Sequence, residues 1–188
     1  MKKADMGIYL PLGADGFELC HPVAEEDFER INREIDGTPK SSSWVPMPVQ
    51  LVKEDRGMPL ATSDSPWLGA HALIFRAESI PCVHDILLNH GELLSLSCRD
   101  ENLFIYNATE KIDALDEITS SLQRFGNGRI MFIEKHSFFD GVVEGIDIFK
   151  ITSLRVSPTF LSHRFVDRWN ESGQKGLEFK QVWKPKSM

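Results

Sequence analysis

Cysteine is scarce in this chain of 188 residues: Cys20, Cys82 and Cys98 are odd in number and show no C-x-x-C spacing. Neither a disulfide framework nor a thiolate zinc site fits that pattern, so the three read as buried thiols. Long apolar runs are also missing. No stretch approaches the roughly 18 residues of a membrane span, and Met1 to Gly7 lacks the continuous apolar core of a secretory signal. A cytoplasmic protein is the expectation, one that leaves the glycosylation pattern Asn107-Ala108-Thr109 unused. Positive charge is in deficit: 21 Lys and Arg against 28 Asp and Glu give a formal net charge of -7. Phosphate backbones are bound through Lys and Arg, so direct nucleic-acid binding is disfavoured. An acidic balance suits fast association with a basic protein partner instead.

The familiar enzyme signatures are absent as well. There is no G-x-S-x-G elbow, no H-E-x-x-H, no G-x-x-x-x-G-K-[ST] and no G-x-G-x-x-G after a strand. Gly126-Asn127-Gly128-Arg129 is the nearest glycine cluster, and it leads into a strand pattern, as a hairpin does, where a phosphate loop would lead into a helix. Two constellations retain chemical interest. Asp113, Asp116 and Glu117 would share a face if their segment were helical, where carboxylates hold a metal or share a proton. The plainer reading makes them a solvated helix start with Leu115 and Ile118 packed inward. His136 and Asp140, beside Phe138 and Phe139, form a candidate acid–base pair for a small hydrolase. Strand geometry there would hold the two apart, which favours an ordinary turn flank. Neither constellation is expected to hold a metal or a cofactor.

What is present reads as α+β, a mixed or antiparallel sheet with a few packed helices. Gly7 to Leu10 opens as a strand before a Gly13–Gly16 turn, and Glu25-Glu26-Asp27 then starts a helix in which Phe28, Ile31 and Ile35 share a face. Gly37-Thr38-Pro39 stops it. From Lys40 to Gly69 the prolines and serines predict an exposed arm with one or two short edge strands. Ala72 to Phe75 is a buried strand; a helix aligning Ile80, Val83 and Leu87 follows and ends at Asn89-His90-Gly91. Leu93–Cys98 and Leu103–Tyr106 are strands around the turn Arg99 to Asn102, Ile130–Ile133 is another, and Asp140-Gly141 turns the chain toward Val142-Val143 and the strand Ile146–Ile151. Near the end, Leu161, Phe165 and Trp169 recur every four residues on a helix that Ser157 or Thr159 can cap. Gly173 and Gly176 stop it before the strand Leu177 to Val182. Residues 73–96 and 154–182 echo one another as strand, polar cap, helix, glycine, strand. Residues 1–63 are read as a variable N-terminal region and residues 64–188 as a core, the two able to form one compact domain.

The closing run Gly176-Leu177-Glu178-Phe179-Lys180-Gln181-Val182-Trp183 after a serine-led helix resembles the end of a family of bacterial immunity proteins from polymorphic-toxin and contact-dependent competition systems. Further blocks agree in order: Ser79-Ile80 through Leu88, Gly91-Glu92-Leu93-Leu94-Ser95-Leu96, Tyr106-Asn107-Ala108-Thr109, Ile112-Asp113-Ala114-Leu115-Asp116 and Asp147 to Ile151. The resemblance spans residues 64 to 184. It implies an antidote that binds one cognate toxin stoichiometrically, covers its active site and performs no chemistry. A basic nuclease is a fitting partner for an acidic antidote, and the free protein is expected to be a monomer or weak dimer. The expected contacts are Glu25, Glu26 and Asp27, Asp113, Asp116 and Glu117, and Trp44 on the proline-rich arm. Trp67, Trp169 and Trp183 are read as core residues. A homo-oligomeric scaffold is the remaining alternative.

Overall fold

The computed structural model describes residues 7–99 and 101–185. Asp100 of the expected Arg99–Asn102 turn, and Met1 to Met6, lie outside the described residues. In chain order the elements are β1 (Ile8–Gly13), β2 (Leu19–Pro22), α1 (Asp27–Glu34), β3 (Met47–Val52), β4 (Glu54–Asp55), β5 (Met58–Pro59) and β6 (Ile74–Arg76). A 3-10 turn over Ala77–Cys82 leads to α2 (His84–His90), β7 (Gly91–Ser97), β8 (Leu103–Ala108), β9 (Lys111–Ile112), β10 (Ser121–Arg124) and β11 (Ile130–Lys135). The chain closes with α3 (Asp140–Val143), β12 (Ile148–Ile151), β13 (Phe160–Ser162), α4 (His163–Glu171) and β14 (Leu177–Trp183).

Two sheets organise these elements. One runs β14-β1-β13-β12-β9 and the other β2-β3-β7-β8-β6, while β4-β5 and β10-β11 are separate ribbons. Most pairs are antiparallel; β9 with β12 and β3 with β7 are parallel. The α+β expectation with mixed sheets therefore holds. β1 lies inside the sheet built from C-terminal strands, and β2 and β3 extend the other, so residues before and after position 63 share both sheets.

Three apolar clusters follow from strands that bury both faces, which is why their sequences read as apolar runs rather than alternations. In β6 and β8, Phe75 and Tyr106 face a central cluster, and Ile74, Leu103 and Ile105 face an outer one beneath α1. In β12 and β13, Ile148 and Leu161 face the same central cluster, and Phe149, Ile151 and Phe160 face a third, which the β10–β11 ribbon and α3 help to close. Ile86 and Leu87 of α2 and Phe165 and Trp169 of α4 fill the central cluster. The two sheets thus share one helical layer. The echo seen in the sequence is topological: β6-α2-β7 and β13-α4-β14 are each a strand–helix–strand unit straddling one antiparallel strand, β8 in the first and β1 in the second.

Several expectations are corrected. α4 begins at His163, and Ser162 is its cap, its Oγ accepting from the Phe165 N–H at 3.3 Å. Leu161 belongs to β13, because the Thr159 N–H bonds to the Ala70 carbonyl at 2.7 Å and β12 and β1 then draw the next residues into the sheet. Ser157 accepts from the Ile151 N–H instead. Val142 and Val143 lie in α3, not a strand. Phe28 is 38% exposed against the edge of His21, while Ile31 and Ile35 are buried. Cys20 alone among the thiols is fully buried; Cys82 and Cys98 are half-buried. The arm is less free than its prolines suggest, since Met47–Val52 is an interior strand. Pro48 is tolerated there because its carbonyl accepts from the Val23 N–H at 3.1 Å, so its nitrogen faces the chain just past the end of β2 and no bond to β7 is lost.

Glycine and buried charge close the remaining gaps. Gly173 and Gly176 have φ of 71° and 100°, as the helix stop requires, and a Cβ on Gly176 would run into Ser63. Lys150, 1% exposed, donates from Nζ to the Ile35 carbonyl at 2.7 Å and the His71 carbonyl at 2.8 Å, tying the end of α1 and the 69–73 segment to β12. Burial, with Lys111 nearby, lowers its pKa to about 8. Since β13 and β14 find their common partner only in β1, a chain shortened to begin after Gly13 is expected to lose its cooperative urea-unfolding transition. A sigmoidal transition retained in the shortened chain would show that β1 is dispensable.

Candidate partner-binding surfaces

The expected contact residues fall in two separate clusters. Glu25 and Glu26 are exposed immediately before α1, with exposed Val23 and Phe28 beside them. Asp27 is half-buried and 3.8 Å from Arg30, which also bonds Glu34 at 3.0 Å and lies 5.9 Å over the Trp44 ring. Arg30 thus joins α1 and Trp44 into one surface. Trp44 is not a free anchor, because its Nε1–H donates to the Ser95 carbonyl at 2.7 Å and its ring packs on the outer cluster beneath α1. Glu92 holds the start of the same arm, accepting from the Lys40 N–H at 2.6 Å, the Ser41 N–H at 3.1 Å and Asn107 Nδ2 at 2.9 Å.

Asp113, Asp116 and Glu117 lie on the outer side of the other sheet, in the turn after β9. The segment is not helical, so the shared carboxylate face does not form. Asp116 bonds its own turn, accepting from the Thr119 hydroxyl at 2.6 Å and the Ile118 N–H at 3.0 Å, and the Thr119 hydroxyl holds its carboxyl below the usual range. Glu117 pairs with Arg124, and Asp113 is exposed. Leu115 packs inward as expected, but Ile118 is 95% exposed because the turn carries it away from the core. Among the described residues no group of three or more His, Cys, Asp or Glu side chains is arranged to hold a metal ion.

His136 is not paired with Asp140. The imidazole is 9% exposed, stacked on Phe138 at 5.9 Å and set edge-on to Phe160 at 5.5 Å, whereas Asp140 is exposed at the first position of α3. Burial first, and Lys180 second, push its pKa down to about 4. It sits on a groove of about 480 Å³ running between β11, the ends of β1 and β14, and the 154–158 segment. Glu134 is the carboxylate on that groove, and Gln123 and Ser121 hold it low by hydrogen bonds. The acid–base arrangement of a hydrolase is therefore not assembled at His136.

Sequence reasoning missed this groove. Ile130-Met131-Phe132-Ile133 lies in a strand as expected, and of its residues Ile130 and Ile133 are buried while Met131 and Phe132 are 49% and 58% exposed. Irregular register between β10 and β11 accounts for the difference. The one available signal was an apolar run flanked by a hairpin turn, which does not tell a covered strand from an uncovered one.

With this geometry in place, comparison with known proteins gives one family match. Residues 93–184, from within β7 to just past β14, match the model of a family of immunity proteins. That family is Imm11, in agreement with the resemblance read from the closing motifs. The block Ser79 to Leu88, which forms the 3-10 turn and much of α2, lies outside the match. No curated protein matches the chain. No helix among the described residues is long and apolar enough to cross a membrane.

The buried His136 carries a pH signature. Its pKa is about 4 in the folded chain against 6.5 for a free imidazole, so between those values the unfolded chain binds the extra proton and stability falls as pH drops. Urea midpoints followed from pH 7 to 4 should decline less steeply in His136→Phe than in the parent. Identical slopes would place the imidazole in water.

Proposed function

We propose that this protein is the antidote of a single toxin, acting in the cytoplasm by forming a stoichiometric complex that covers the toxin's active site, and performing no chemistry of its own. The family match over residues 93–184 carries the reading. A net charge of -7 supports a basic partner such as a nuclease, since opposite fields accelerate encounter. Of the two acidic clusters we favour the turn at Asp113 to Glu117 as the contact. It is exposed, it carries the large apolar Ile118 at 95% exposure, and it adjoins the end of β11 through the bond from the Asp116 N–H to the Ser137 carbonyl. On the α1 surface, Asp27 and Glu34 are engaged by Arg30, which also lies over the Trp44 ring.

The test is co-expression with the toxic domain encoded immediately upstream, scored by growth rescue and recovery of a complex. Neutralising the favoured cluster as Asp113→Asn/Glu117→Gln should slow association about 10-fold at low salt, with the difference shrinking as salt is added. Glu25→Gln/Glu26→Gln should leave the rate within about twofold of the parent. The reverse ranking would move the contact to α1, and failure of the parent to rescue or bind would reject the antidote reading.

A further inference from the structure

The groove beside His136 has the features of a built recognition site. Its floor is the outer face of the first sheet at Leu10, Leu12 and Val182, and its walls are Phe132 on one side and Leu154 and Val156 on the other. His136 is nine-tenths buried and lines the groove, its ring stacked on Phe138.

The extent of the surface argues for a protein rather than a small molecule. Leu12, Met131, Phe132 and Val156 are 41%, 49%, 58% and 40% exposed. A second hollow of about 280 Å³, bounded by Phe125, Arg129, Ile130, Ser153 and Arg155, borders the same 153–156 segment. Large adjoining apolar side chains left in water mark interaction sites. Charge narrows the partner further. Lys135 and Lys180 are exposed on the groove and form no ion pair among the described residues, while Glu134 is occupied by Ser121 and Gln123. Arg129 and Arg155 flank the second hollow. In a chain with net charge -7, this strip is locally cationic.

We propose that the groove along β11 receives an apolar segment of the toxin that carries at least one carboxylate, with an apolar side chain seated between Phe132 and Val156 and the carboxylate directed at Lys135 and Lys180. The inference rests on the antidote reading and adds the anchor to it. The turn at Asp113 to Glu117 and the groove meet at residues 135–137, because Ser121 pairs with Lys135 and Thr119 Oγ1 bonds to Ser137 Oγ at 2.7 Å. One face of the molecule therefore presents an acidic turn next to an apolar, cationic groove, a pattern that fixes the orientation of a partner as well as attracting it.

The experiment is calorimetric titration of the full chain with the upstream toxic domain, inactivated by substitution. Parent, Phe132→Asp/Val156→Asp and Lys135→Glu/Lys180→Glu are compared, with thermal melting and sedimentation of each variant alone. All four positions are surface-accessible, so melting should stay close to the parent. The apolar reversal is expected to weaken binding about 30-fold or more, as loss of a central anchor does, and the charge reversal about 10-fold, with a diminished effect at high salt. Affinity within about twofold of the parent in the apolar variant overturns the inference while the antidote reading stands. Altered self-association with unchanged toxin affinity also overturns it and assigns the groove to a second copy of this chain. A parent that binds no toxin removes the underlying reading.

Discussion

β13 and β14 are joined through α4 but do not pair with each other; the slot between them is filled by β1, which bonds β13 on one side and runs along the whole of β14 on the other. Everything on that side of the molecule depends on this insertion. It places Ile8 in the third apolar cluster and sets Leu10 and Leu12 on the outer face where the groove lies. The segment that matches the immunity family, residues 93–184, contains β13, α4 and β14 but neither β1 nor β6. Each strand–helix–strand unit therefore takes a member or a filler from outside the matched half, and the matched half leaves both sheets incomplete.

Buried polar groups secure the junctions between these distant segments. Arg76 in β6 donates to Glu18 at 2.7 Å and to the Ser63 carbonyl at 2.7 Å, and also pairs with Glu101, so one guanidinium holds three stretches of chain. Lys150 does the same with carbonyls from α1 and the 69–73 segment. Asp147 accepts from the Ser162 hydroxyl at 2.7 Å and pairs with Arg164, fixing the β13–α4 corner. Withdrawing such charges from water is costly, and removing one partner leaves the other exposed to the full penalty. These contacts specify which segments meet, while the apolar clusters supply most of the driving force.

Packing is complete between the sheets and stops on the outer face. The central cluster, between the sheets, is closed by Phe75, Tyr106, Phe165 and Trp169, with ring contacts linking Phe75 to Tyr106 and Trp169 and Phe165 to Trp169. On the outer face of the first sheet the β10–β11 ribbon covers only part of the available strands, and the uncovered remainder is the groove with its solitary imidazole. The proposed antidote role would use such a division: a supporting core whose packing is complete and an outer face free to be shaped to one partner.

The sequence by itself determined the α+β class, the hairpin at Gly126 to Gly128, the buried strands at Ile74, Ile105 and Ile148, and the glycine stop before Leu177, because each rests on local periodicity or a φ that only glycine takes easily. It also carried the order of motifs that points to the immunity family. Tertiary structure decided the rest. The start of α4 moved to His163 because neighbouring strands compete for Phe160 to Ser162, the proline-bearing β3 became interior because Pro48 turns its nitrogen past the end of β2, and the carboxylates at Asp113 to Glu117 separated because a turn replaced the helix. The groove was invisible for the same reason: whether Phe132 is covered depends on where β1, β14 and the 154–158 segment lie, and those positions are set by residues far from it in the chain.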